Sequence, residues 1–311
     1  MCTKQVTKLD GGCLVILFSI ILDIDSSKFV SSIRVAVVQM QSSQHKADNL
    51  NVALEYTLLA ATKDAKAILF PEFLMAYSPE NQNAKELVST AESVNNGKFV
   101  AALRKAAKTN NISIVATIYE KSANNDQRVY DTAIIINSIG KISSVYRKLH
   151  LYDAMGFQES RKFVAGDKIN KPVMLGPTKI GIMICYDIRF PEMSRILVGN
   201  GANTLVAPSA WVHGILKEEH WLTMLKARAI ENGAFVIAPD QVGNIYSGRS
   251  LVIDPFGVVL LDMGNKQGVD IVDIDVSRVK GIRQTLPLLK NRRTDVYKRD
   301  LDVFCRDCNK R

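Results

Sequence analysis

The amino-acid sequence predicts an α/β protein in which a mixed sheet system is covered by helices within one domain. Three observations predict it. Short β-branched runs recur between residues 33 and 274. Stretches with apolar residues at helical spacing fall between several of them, while other runs are joined directly by turn residues. No Pro/Gly/Ser-rich linker divides the 311 residues, and no repeat of fixed period is visible.

The folded body is expected to begin at Ile33, with Arg34 to Met40 a buried strand. Residues 45–65 carry Leu50, Leu54, Leu58 and Ala61 at helical spacing, which predicts that these four face the core. Ala67 to Phe70 reads as a second strand stopped by Pro71. Residues 95–110 are helical on the spacing of Phe99, Leu103 and Ala106 or Ala107. Ile112 to Tyr119 alternates as a strand, and Thr132 to Asn137 with Lys141 to Tyr146 forms a hairpin around Ser138-Ile139-Gly140. A strand from Lys179 to Cys185 precedes a helix opened by Pro191, whose fixed φ suits a first turn. Thr204 to Ala207 is a strand. Residues 217–232 form a helix with Trp221, Leu225, Ala229 and Ile230 on one side, ended by Gly233. Four strands follow, Phe235 to Ala238, Ser250 to Ile253, Val258 to Leu261 and Val269 to Ile274, with a turn at Asp254-Pro255-Phe256-Gly257.

Bulk properties exclude several classes of function. Part of the net charge of +9 sits in the basic C-terminal stretch from Lys290 to Arg311, without zinc-finger spacing or RNA-binding aromatics, so no nucleic-acid partner is expected. Five cysteines at positions 2, 13, 185, 305 and 308 make no disulfide framework and point to a reducing, cytoplasmic setting. Cys305 and Cys308 form a CxxC with no second ligand pair, so no metal site is expected there. The apolar run from Cys13 to Leu22 is too short to span a bilayer. Residues 1–32 are read as an N-terminal extension, 33–298 as the folded domain and 299–311 as a basic tail, with no stable membrane association.

Three reactive side chains share one local context. Glu72 follows the strand 67–70, Lys148 follows the strand 141–146 and Cys185 ends the strand 179–184. Strand ends carry ligand and catalytic groups in layered α/β folds. A carboxylate can take a thiol proton during attack, and an ammonium can hold a developing oxyanion. The backbone N–H of Tyr186 supplies a second donor. Such a group would attack an amide or nitrile carbon through a thioester. On chemistry alone, an inert buried cysteine beside a surface glutamate and a surface lysine remains open.

Longer segments resolve the choice. LFPEF at 69–73, YRKLHL at 146–151 and GIMICYDIRFPE at 181–192 resemble the three signatures of the nitrilase superfamily, the carbon–nitrogen hydrolases. APSAW at 207–211, residues 220–239, SLVIDPFGVVL at 250–260 and residues 282–297 agree in order. The resemblance covers about residues 33–298. It implies a four-layer α-β-β-α sandwich, usually paired with a second subunit, and hence a homodimer or higher homo-oligomer. It implies Glu72 as general base, Lys148 as stabiliser of the tetrahedral intermediate, Cys185 as nucleophile and Glu159 as a second active-site glutamate. It further implies a small-molecule amide substrate and no cofactor or metal.

Cys-Tyr-Asp-x-Arg-Phe-x-Glu after the nucleophile resembles branches acting on ω-amides of 2-oxo acids and on deaminated glutathione. Nitrile-cleaving members usually carry Cys-Trp-Glu there. N-carbamoyl amide hydrolysis and nitrile hydrolysis are the rival enzymatic readings, and a catalytically silent scaffold is the non-enzymatic one. Tyr77, His150, Phe157, Arg189 and Trp211 lie near the motifs and are candidate pocket residues. For Arg189 the choice is a substrate carboxylate or an ion pair with Glu192 or another acid. His150 is also a candidate for orienting its neighbours by hydrogen bonding.

Overall fold

The structure, a computed structural model, describes residues 31–122 and 127–297. The apolar run at 13–22, the Cys305/Cys308 pair and the basic tail 299–311 lie outside the described residues.

The elements run in the order β1 (Ser32–Gln39), α1 (Lys46–Thr62), β2 (Ala67–Leu69), α2 (Ala84–Thr90), α3 (Lys98–Thr109), β3 (Ser113–Lys121), β4 (Val129–Ile136) and β5 (Ile142–Arg147). Then come β6 (Val173–Leu175), β7 (Thr178–Ile182), α4 (Pro191–Gly199), β8 (Thr204–Val206), α5 (Lys217–Asn232) and β9 (Phe235–Ala238). The chain continues through β10 (Val242–Gly243), β11 (Tyr246–Ser247), β12 (Leu251–Ile253), β13 (Val259–Asp262), β14 (Gly268–Asp275) and α6 (Ser277–Thr285). Short 3-10 turns stand at Glu159–Arg161 and Cys185–Arg189.

Two six-stranded sheets result, in the orders β14-β1-β2-β3-β4-β5 and β13-β12-β9-β8-β7-β6. In each, parallel central strands (β1, β2 and β3; β7, β8 and β9) are flanked by antiparallel ones. Alternate residues of one strand point to opposite faces. Accordingly Val35 and Val37 of β1 pack with Ile180 and Ile182 of β7 from the other sheet. Ala36 and Val38 of the same strand pack with Phe99 and Leu103 of α3. The layers are therefore helix, sheet, sheet and helix, as in the four-layer α-β-β-α sandwich.

Two helical faces differ from expectation. On α1 the buried residues are Asn49, Ala53, Thr57 and Ala60, while Leu58 is 56% exposed. Small side chains let the helix lie close on the sheet, and Asn49 Nδ2 donates to the Ser43 and Met75 carbonyls, which only a buried Asn can do. Leu50 and Leu54 pack at the edge of the same core. On α5, Trp221, Leu225 and Ala229 are buried, but Ile230 is 39% exposed. Gly233 ends that helix at φ +52°, as its position predicts.

Close packing of α4 on β7 rests on Gly181. A Cβ there would lie 2.9 Å from Leu197 Cβ and 3.3 Å from Ala202 Cβ. Gly181→Val is expected to cost about 1–3 kcal/mol of stability by overpacking. A lowered urea midpoint would show it; an unchanged midpoint would mean that α4 can move off the strand.

Candidate active site

The strand ends converge between the two sheets. Below β2, Pro71 stops the strand and Glu72 turns inward, 1% exposed. Its N–H donates to the Ser209 carbonyl at 3.2 Å, and its carbonyl accepts from Gln241 Nε2 at 2.8 Å. Both partners belong to loops of the other sheet, so Glu72 is tied across the sandwich. Lys148 follows β5, with its N–H on the Asp131 carbonyl at 2.9 Å. It is 2% exposed, and its Nζ donates to Glu72 Oε1 at 2.7 Å and Glu159 Oε1 at 2.9 Å. Glu159 Oε2 in turn accepts from the Tyr152 N–H at 2.6 Å.

Cys185 does not end its strand. β7 stops at Ile182, and Cys185 opens the 3-10 turn with φ +44°. A left-handed conformation in a non-glycine residue costs about 1–3 kcal/mol and persists only when neighbours hold it. Here the Cys185 N–H donates to the Pro208 carbonyl at 2.9 Å. Fully buried Asp187 accepts from the Ile184 N–H at 2.9 Å and closes the turn. Asp187 also accepts from Tyr146 Oη at 2.6 Å and the His150 N–H at 3.1 Å, and meets His150 Nδ1 at 2.7 Å. Tyr146 and His150 bracket Lys148 in sequence. One carboxylate thus locks the cysteine turn to the lysine segment.

Charge follows from burial and these contacts. Burial pushes the Lys148 amine down, but Glu159 and Glu72 outweigh it and hold the ammonium well above its ordinary range. Burial pushes the Cys185 thiol up, and Glu72 adds to this, while Lys148 and the Ala210 N–H oppose it. Burial and the neighbouring Glu72 carboxyl therefore favour the neutral thiol at rest. A carboxylate oxygen from each of Glu72, Asp131 and Glu159 lies within 4.8 Å of the others, a donor set of the kind that holds a divalent ion. The Lys148 ammonium occupies their midst, 3.9 Å from Asp131 Oδ2, and supplies the positive charge there.

Residues 34–284 match the family model described as carbon-nitrogen hydrolase. The chain belongs to the carbon-nitrogen hydrolase family. It is 36% identical over 245 residues to a deaminated glutathione amidase of Escherichia coli O157:H7, covering 79% of this chain and 91% of that one. It is 31% identical to the omega-amidase NIT3 of Saccharomyces cerevisiae, over 88% of this chain and 97% of that one. The crystal structure of the C. elegans NitFhit protein superposes with a TM-score of 0.80 at 30% identity, covering 86% of this chain and 66% of that one.

In this carbon-nitrogen hydrolase a cavity of about 220 Å³ opens onto Glu72, Lys148, Glu159 and Cys185. Phe73, Tyr152, Phe157 and Tyr246 wall it, with Arg161 and Lys162 among its polar lining. Of the five pocket residues expected from sequence, only Phe157 lines it. Tyr77 stands behind Tyr246, edge-on with ring centroids 6.0 Å apart. His150 is held on Asp187 and stacks on Phe190 at 3.6 Å, which suits it to orienting the segment. Trp211 is buried against Trp221 and donates its indole N–H to the Lys217 carbonyl at 2.7 Å. The Arg189 guanidinium lies 4.7 Å over the Trp211 ring and has no ion pair among the described residues, with Glu192 or any other acid. The attraction of a cation to an indole face replaces the expected pair.

Sequence reading missed Asp131, Tyr152, Gln241 and Tyr246. A signal existed for Asp131, a lone acid inside the apolar strand VYDTAIII. None existed for the other three, Tyr152 and Gln241 on loops and Tyr246 on the two-residue strand β11.

Among the described residues no helix is long and apolar enough to cross a membrane.

Proposed function

We propose that the chain hydrolyses a small carboxamide to a carboxylate and ammonia through a thioester on Cys185. The carrying observation is the Lys148 ammonium, bridged between Glu72 and Glu159 at the base of the cavity that contains the thiol. The amide oxygen would face Lys148 Nζ and the Tyr186 N–H. Glu72 takes the thiol proton as Sγ attacks the carbonyl carbon, and the two donors hold the oxyanion. Glu72 then returns the proton to the amide nitrogen, the C–N bond breaks and ammonia leaves. Water enters, loses a proton to Glu72 and attacks the thioester; the C–S bond breaks, the proton on Glu72 returns to sulfur, and the carboxylic acid departs and ionises to the carboxylate in solvent. Glu159 keeps Lys148 aimed throughout.

The substrate is read as an ω-amide of a 2-oxo acid or a deaminated glutathione-like compound, following the activities for which the relatives at 36% and 31% identity are named. The N-carbamoyl and nitrile readings, and the silent scaffold, have no observation of their own in the site.

The functional unit is read as residues 33–298, acting in the cytoplasm as a homodimer. Exposed Ile196, Ile230, Phe256, Val258 and Leu260 on α4, α5 and the β12–β13 hairpin support the pairing. A Cβ at Gly257 would meet Ile230 Cδ1 at 2.7 Å, so the hairpin tip and α5 share one surface.

The test is ammonia release from 2-oxo acid ω-amides, deaminated glutathione, aliphatic amides, nitriles and N-carbamoyl amino acids, with Cys185→Ala as control. Release from one amide group, lost at least about 10³-fold in the variant, is the expected result. Release that survives Cys185→Ala would overturn the thioester, and release only from nitriles or carbamoyl compounds would replace the substrate class.

A further inference from the structure

Asp131 is the buried acid that the mechanism above leaves unused. It stands on β4, opposite Tyr119 of β3. It is 1% exposed, and neither carboxyl oxygen has a hydrogen-bond donor among the described residues. Lys148 Nζ is 3.9 Å from Oδ2, beyond hydrogen-bond range, because Glu72 and Glu159 hold it nearer to themselves. Tyr119 does not help, since its hydroxyl donates to the Ala76 carbonyl. An ionised carboxylate left in this state would be costly. A carboxyl oxygen of Glu72 lies within 4.8 Å of one of Asp131 and is an acceptor that a proton on Asp131 could serve. Two carboxyl groups bond to one another only when one of them carries the proton.

We propose that Asp131 is a positioning residue for Glu72: it is held protonated, and its hydroxyl donates to the Glu72 carboxylate and orients it toward Cys185. This rests on the reading of Glu72 as the base. The groups facing Asp131 are Glu72 from the loop after β2, Lys148 after β5, Glu159 on the 3-10 turn and Tyr119 on β3. Burial pushes the Asp131 carboxyl well above the ordinary carboxylate range; Glu72 pushes the same way and Lys148 opposes. Burial and Glu72 therefore both favour the neutral form of Asp131. At alkaline pH Asp131 would ionise, the donor would vanish and a second negative charge would face Glu72.

Asparagine has the same shape, donates a hydrogen bond and cannot ionise; alanine offers neither donor nor shape. Asp131→Asn is therefore expected to keep kcat for the amide within about fivefold at neutral pH, with KM little changed, while Asp131→Ala loses roughly 10- to 100-fold. The alkaline limb of the kcat profile should move to higher pH in Asp131→Asn. Infrared difference spectra at neutral pH should contain a protonated-carboxyl C=O band that Asp131→Asn removes. Equal kcat losses in the two variants, or no such band in the wild type, would overturn the proposal. Should Asp131→Ala fail to fold, the asparagine profile and the band still decide. If the wild type hydrolyses no amide, the amidase reading fails, and the infrared band alone then decides whether Asp131 carries the proton.

Discussion

Lys148→Met is expected to abolish ammonia release, with kcat lower by at least about 10³-fold. Removing one oxyanion donor costs roughly 10²–10³ in kcat. Lys148 also donates to Glu72 at 2.7 Å, so under the proposed mechanism both the base and the oxyanion site lose their reference point. A stability loss of about 3–5 kcal/mol should accompany it, because breaking a buried ion pair strands the remaining charges. The sign of its pH dependence follows from Glu159. Burial and Glu72 raise the Glu159 carboxyl, and the largest lowering influence is Lys148. Without Lys148 only the raising influences of burial and Glu72 act with the remaining hydrogen bond from Tyr152. A carboxyl raised in the folded state favours folding below its unfolded value of about 4.3, and this is lost as pH rises through the folded value. Glu159 is already raised in the wild type, so this group favours mild acid over neutral pH in both proteins, and the variant should show the larger gain. Urea unfolding of both proteins at about pH 5 and pH 8 would read it. A variant with wild-type turnover would remove Lys148 from the mechanism.

Asp187→Ala should be nearly as damaging, although Asp187 does not line the cavity. Its removal leaves the Tyr146 hydroxyl and the Ile184 and His150 N–H groups without their acceptor. Each buried unsatisfied group costs about 1–3 kcal/mol, so a loss of about 3–5 kcal/mol is expected. The same bonds hold Cys185 at φ +44° and set it against Lys148. A misplacement of about 1 Å costs on the order of 10²-fold in rate. The folded fraction should therefore show a reduced kcat and slowed alkylation of Cys185 by iodoacetamide. Asp187→Asn, which keeps an acceptor but adds a donor facing the Ile184 N–H or His150, should fall between. Wild-type stability and alkylation in Asp187→Ala would mean that the turn holds its shape by packing alone.

Much of the fold was legible because its signals are local. A β-branched run at 34–40, Pro71 after 67–70, Pro191 opening a helix and Gly233 closing one each restrict the backbone without help from distant residues. The faces of α1 were not legible. Spacing alone favours the leucine stripe, but the buried stripe is the one whose small residues fit the sheet and whose Asn49 finds two carbonyls. The short strands β6, β10 and β11 also escaped notice, since two or three residues carry no period.

The sequence by itself determined which residue types stand after which strands: Glu72 after β2, Lys148 after β5, Cys185 after β7. It determined the family through the order of the motifs around them. Tertiary structure decided what those residues meet. Lys148 and Glu72 are 76 positions apart in the chain and 2.7 Å apart in space. Pocket membership of Phe157 but not His150 or Trp211, the aromatic seat of Arg189 and the buried Asp131 all depend on loops from two sheets arriving together. Local propensity is written in neighbouring residues. Distances, desolvation and shared protons arise only when remote segments exclude water from one place.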